Sequence, residues 1–342
     1  MLKPFRSNHL VASLAGAVLA CLAFALAAQD STESVSVVPP FEGYSAFWPN
    51  LHHVLYSEAW RRRDSVRSRA AFLPEPLAGD LTGEERAAWD AAVAYYDREL
   101  ADLDLLFEMN EIRRTLAVAG EALTEGELTP ELGEALTRAA PVYRKYWWAG
   151  HDRANRDWIS DAMARVESLS PAVPERLTRL YESPWFDRPV RVDVVRVASR
   201  QGAYSALDPQ SDPGSRTSAR AHVTVSSSEP NNQGWRAAEV VFHEASHALI
   251  FPVRGAIRDE ERAQQKDVRD LWHVALFYLT GEVVRQSLAA REIEYEPYMY
   301  HTNLFMGGWA GFKLPLETHW RAYIDGDMSL DEAVRGLVAD VE

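Results

Sequence analysis

Apolar and polar residues interleave in two different rhythms along this chain. Residues 82 to about 120 and 129 to 168 read as helix, the second run interrupted near Pro141 and Gly150. Thr82 with Glu85 three residues on has the capping-box spacing that starts a helix. The rhythm then shortens. "RPVRVDVVRVAS" (188–199) alternates and is rich in β-branched residues, which predicts a strand, and "RAHVTVSSS" (220–228) predicts a second. The polar run between them, 201–219, reads as a loop. "WRAAEVVFHEASHALIF" (235–251) returns to helix, and further helices are expected over 258–270, 273–291, 314–324 and 329–340. Upstream, 44–63 reads as loop then helix, and 64–80 holds prolines and a glycine that break the chain. The expectation is a predominantly helical α+β protein with a small sheet beside the 235–251 helix.

Residues 1–28 follow neither rhythm. Lys3 and Arg6 precede a nearly continuous apolar run ending in Ala25-Leu26-Ala27-Ala28. This is the pattern of a secretory signal peptide, or of an anchor if it is left uncleaved. It predicts an exported protein, periplasmic or extracellular. Residues 29–75 are then expected as an extended arm and first helix, 76–187 as a helical subdomain, and 188–342 as the catalytic region, in one unit with the helical part. The only cysteine, Cys21, lies inside the leader, so neither a disulfide framework nor a thiolate metal site is open to the mature chain. The formal charge is −14, and loss of Lys3 and Arg6 makes it two units more negative. Such a balance disfavours nucleic acid and anionic membrane surfaces as partners.

The segment "VVFHEASHALIF" (240–251) is almost wholly apolar, yet it carries His243, Glu244 and His247. Buried polar side chains are costly unless they are partnered. Two histidines four apart lie one helical turn apart on one face. Both imidazoles can therefore reach one zinc ion, and Glu244 can act on the water that ion activates.

A catalytic zinc needs a third protein ligand. No third histidine follows in the HExxHxxGxxH spacing. Glu282 is favoured, because a carboxylate among Leu276, Leu279, Val283 and Val284 is expensive without a partner; the competing reading pairs it with Arg285. Gly281 beside it predicts close packing against another element. His273 is the alternative ligand. It stands nine residues before Glu282, so on one continuous helix the two point to opposite faces and only one can bind.

An HExxH sequence followed on a later helix by Gly-Glu resembles the gluzincin branch of the zincin-like metallopeptidases, over about residues 188–300. The resemblance implies a zincin-like fold, zinc held by His243, His247 and Glu282, and Glu244 as general base. It also implies a downstream donor to the oxyanion, for which Tyr300 is favoured and His301 is the alternative. The strand before the motif, "AHVTVSS", resembles the edge strand on which such enzymes lay an extended peptide. The function expected is hydrolysis of peptide bonds in a peptide or protein substrate. The alternatives are an amide hydrolase acting on a non-peptide or cell-wall compound, and a non-catalytic binding protein. His52 and His53, adjacent and so about 100° apart on a helix, are read as structural, and His151 with Asn155 as groups on one helix face.

Overall fold

Four short strands form one mixed sheet that separates two layers of helices. The structure is a computed structural model that describes residues 40–63, 81–103, 108–124, 126–198, 202–207 and 221–341. The expected export segment, 1–28, lies outside them. No helix among the described residues is long and apolar enough to cross a membrane.

The strands are β1 (Phe41–Tyr44), β2 (Val190–Val195), β3 (Ala203–Leu207) and β4 (Ala221–Ser226), in the order β1-β2-β4-β3. β1 and β2 are parallel, as are β2 and β4, whereas β3 runs antiparallel to β4. Two expectations change here. The run from 201 holds a strand, β3, that its composition hides: Ala-Tyr-Ser-Ala-Leu is short and lacks any β-branched residue. β4, expected at the sheet edge, lies inside it, and β3 takes the edge position.

Strand residues alternate between the two faces. Val190, Val192, Val194, Ala203, Val223 and Val225 share one core with the helices from 149 onward. Val195, Val197 and Tyr204 share the other with the helices before residue 144. The second layer contains α1 (Phe47–Arg63), α2 (Gly83–Glu99), α3 (Asn110–Val118) and α4 (Pro130–Tyr143). α2 begins with the full capping box, Thr82 and Glu85 each bonding the other's backbone N–H. Pro141, which cannot donate a backbone hydrogen bond, precedes a π turn over Arg144–Trp148, the interruption expected there.

α5 (Ala149–Leu169) and α6 (Ala172–Leu180) follow, and they pack with the later half of the chain. The division between the two cores therefore falls near residue 149, earlier in the chain than residue 188. α7 (Trp235–Ser246), α8 (Phe251–Gln264), α9 (Leu271–Ala289), the short α10 (Tyr298–His301) and α11 (Leu330–Asp340) belong to this layer, as does the helical segment 313–325 between the last two. The helix expected over 235–251 is split. α7 stops at Ser246, and Ala248 and Leu249 bond to carbonyls only three residues back. Pro252 accounts for the restart: it cannot continue a helix from the preceding turn, but it suits the first turn of a new one.

Candidate metal centre

His243, on α7, is buried in the layer between the sheet and α9. His247 is one turn further on, at the C-cap of α7, and retains helical backbone angles. The loss of the next helical turn therefore leaves the i,i+4 relation intact. Their ring centroids are 5.0 Å apart.

The third member is His273. Its ring lies 5.6 Å from that of His243 and 5.1 Å from that of His247. The three side chains each offer a ligand atom, all within 4.8 Å of one another. His273 sits in the first turn of α9, and the approach of α9 to α7 brings it there. Gly281, two turns along α9, marks that approach. A Cβ on it would lie 3.0 Å from Glu239 Oε1 of α7 and 3.0 Å from Pro297 Cβ. The close packing expected at Gly281 is realised against α7.

Glu282, favoured on sequence as the third ligand, points elsewhere. α9 is continuous through 273 and 282, so only one of them can face α7. The Glu282 carboxylate, 2 % exposed, is 2.8 Å from Arg285 Nη2 and 2.8 Å from Arg321 Nη2. Its partner is thus a pair of guanidinium groups, one of which was the competing reading. The second, Arg321, comes from a distant segment and left no local trace. The donors proposed downstream are also differently engaged. Tyr300 donates to Glu317 at 2.8 Å, and His301 Nδ1 is 3.4 Å from Glu296. The rings that meet the three imidazoles belong to Trp272, Phe277 and Trp309.

Do these residues suit a metal ion? Burial, foremost, pushes the imidazole pKa values down: His243 well below the usual range, His247 to about 3 and His273 to about 4. All three rings are therefore neutral near pH 7, the form that binds metal. His243 Nδ1 is buried with no protein partner. Three converging neutral imidazoles, one with an orphaned nitrogen, match the donor set of a catalytic zinc. An aromatic wall surrounds them. Phe277 packs on His243 at 3.6 Å between centroids, Trp272 stacks on His273 at 5.1 Å, and Trp309 meets His273 edge-on at 5.7 Å.

Glu244 faces the sheet. One carboxylate oxygen is 3.9 Å from His247 Nε2. Burial pushes its pKa up to about 7, opposed by a hydrogen bond from Ser205 and by the charge of Arg113. Ser205 belongs to β3, the edge strand missed on sequence. Tyr204, its neighbour, points to the opposite core, where Arg113 lies over its ring. β3 thus stands directly beside the acid–base candidate, and no local sequence signal marked it. Trp272 was visible beside His273, but its proximity to His247 depends on the packing of α9.

Comparisons with protein-family models, curated proteins and solved structures gave no match. The geometry alone carries the functional argument.

Proposed function

We propose that this protein is an exported, zinc-dependent hydrolase of peptide bonds with a zincin-like catalytic layer. The single observation that carries the reading is the convergence of His243, His247 and His273 next to Glu244. The HExxH part of the gluzincin resemblance is kept, and His273 replaces Glu282 as third ligand. The exchange affects charge. Three neutral imidazoles leave the full positive charge of the ion uncompensated, where a carboxylate ligand would neutralise part of it. An antiparallel edge strand beside the motif helix supports the zincin-like reading, with β3 in the place first given to β4.

The three histidines would hold the ion. A divalent zinc supplies Lewis acidity, which polarises a carbonyl and acidifies a water. Glu244 performs the proton work of the chain itself: its carboxylate accepts a proton as water attacks and returns it to the departing amine. Ser205, by donating to that carboxylate, holds it in position. An extended peptide would pair with the open edge of β3 through main-chain hydrogen bonds, its scissile carbonyl reaching between that strand and the aromatic wall.

The test is a peptide library and a protein substrate incubated with the zinc-loaded chain, with and without a chelator, beside metal analysis. One zinc per chain and chelator-sensitive cleavage are expected. Glu244→Gln should retain the zinc and lose about 10³-fold in turnover, within the range of general acid–base contributions. Wild-type turnover in that variant would remove the general-base role. Zinc binding without peptide cleavage, alongside hydrolysis of a non-peptide amide, would move the substrate class.

A further inference from the structure

Arg254 lies on α8, the helix that follows the HExxH turn, and its side chain is exposed. Its guanidinium carbon lies 4.4 Å from the ring centroid of Trp272. The same indole stacks on His273 at 5.1 Å and meets His247 edge-on at 5.8 Å. Arg254 and His273 thus share one aromatic platform, and the guanidinium lies within about 10 Å of either imidazole, the longest separation those contacts permit.

A cation–π contact on tryptophan restrains a long side chain while leaving the N–H groups of the guanidinium rim available. Arg254 forms no ion pair and no side-chain hydrogen bond among the described residues. Several other arginines on the same layer behave differently: Arg262 pairs with Asp259, Arg285 and Arg321 with Glu282, and Arg165 with Asp161. Asp270, at the N-cap of α9 two residues before Trp272, makes no ion pair with Arg254, and the first turn of α8 contains no acidic residue. Arg254 also stands near the positive end of the α8 dipole, where a cation is disfavoured and an anion would be welcome. The rest of the wall beside the histidines, Trp272, Phe277 and Trp309, is aromatic. Arg254 is therefore a restrained cation, unpaired among the described residues, at the rim of an aromatic site.

We propose that Arg254 binds a carboxylate of the substrate, so that the enzyme prefers peptides whose chain terminus or acidic side chain lies a short way beyond the scissile bond. This rests on the hydrolase reading. An extended residue spans about 3.4 Å, so the 10 Å limit places the carboxylate about one to three residues from the metal centre. The planar fork of arginine binds a carboxylate through two parallel hydrogen bonds.

The experiment has two stages. Cleavage of an unbiased peptide pool by the zinc-loaded chain first maps the scissile bond. Absence of cleavage there counts against the hydrolase reading alone. Peptides then differ only beyond that bond: free acid against terminal amide, and Asp against Asn. Wild type should favour one carboxylate by about five- to tenfold in kcat/KM, expressed in KM, a range consistent with one charge-assisted hydrogen-bonded pair. Arg254→Gln should abolish the preference, and Arg254→Lys should restore part of it. The free-acid pair identifies a chain terminus as the source, and the Asp/Asn pair an acidic side chain. Binding of the same peptides to the Glu244→Gln protein, followed by tryptophan fluorescence, gives a readout that needs no turnover. Equal use of acid and amide and of Asp and Asn by wild type, or a preference that survives in Arg254→Gln, would overturn the proposal.

Discussion

Two groups of buried histidines lie on opposite faces of the same sheet, and they differ in one respect. His52 and His53, on α1, are 0 % and 1 % exposed, and burial holds both rings neutral, His52 with a pKa of about 3. His243, His247 and His273 share that neutrality. The first pair diverges: His52 Nδ1 bonds to the Tyr96 hydroxyl at 2.8 Å, while His53 stacks on Tyr204. Among the described residues they belong to no chelating group, whereas the second set converges. Both groups hold orphaned ring nitrogens, His52 Nε2, His53 Nδ1 and His243 Nδ1. Neutrality and an unsatisfied nitrogen are thus common products of burial. What separates a metal centre from core histidines is the direction of the ring nitrogens. Spacing sets that direction, adjacent in one case and i,i+4 plus a second helix in the other.

The sharpest way to break this comparison is to remove one imidazole from each side. His273→Ala should weaken zinc binding by at least about 100-fold, since even groups that only support a ligand contribute 10- to 100-fold. His53→Phe should leave zinc affinity unchanged. Competition titration with a chromophoric chelator would measure both, and an equal loss in both variants would end the distinction.

Next in size is Glu282→Gln. It should leave zinc stoichiometry intact and cost about 3 kcal/mol of unfolding free energy, because removing one partner of a buried pair strands the others. Chemical denaturation alongside metal analysis checks it. Loss of zinc would return Glu282 to the ligand set.

The His52 side can be sharpened by pH. Its folded pKa lies below the unfolded value of 6.5, so in that window the unfolded chain binds more protons. Stability is therefore present above about 6.5 and is lost as pH falls towards about 3. At pH 5 the loss from this group should reach about 2 kcal/mol. Denaturation of wild type and His52→Phe from pH 7 to 5 should give a shallower slope in the variant. Identical slopes would show that His52 does not carry the effect.

The smallest effect on zinc binding is expected for Gly281→Ala. The added methyl meets Glu239 and Pro297 at 3.0 Å, and relief of such overpacking costs about 1–3 kcal/mol. If α9 moves away from α7 to make room, zinc affinity should fall modestly as well, and its retention with lowered Tm would show that the strain is absorbed at Pro297.

Much of the site was legible because its signals are local. The HExxH spacing places His243 and His247 on one helix face, with Glu244 beside them, through helix geometry alone. The Thr82 capping box, the β2 and β4 strands and the break near Pro141 are likewise short-range events. Glu282 is the instructive case. A buried carboxylate needs a partner, and helix geometry lets only one of 273 and 282 face α7. Choosing between them required Arg321, which meets Glu282 from thirty-nine residues away. β3 was hidden for a related reason. Its five residues have little strand preference and are held by pairing with β4.

By itself, the sequence determined that His243 and His247 share a helix face, that Glu244 lies between them, and that His273 and Glu282 point to opposite faces, since all three follow from the 100° step of a helix. Tertiary structure brought His273 beside that pair, set Ser205 of an unsuspected strand against Glu244, and brought Arg254 onto the indole that also meets His247 and His273. Those outcomes depend on how α7, α8, α9 and β3 pack, and packing is set by surfaces that meet across long stretches of chain.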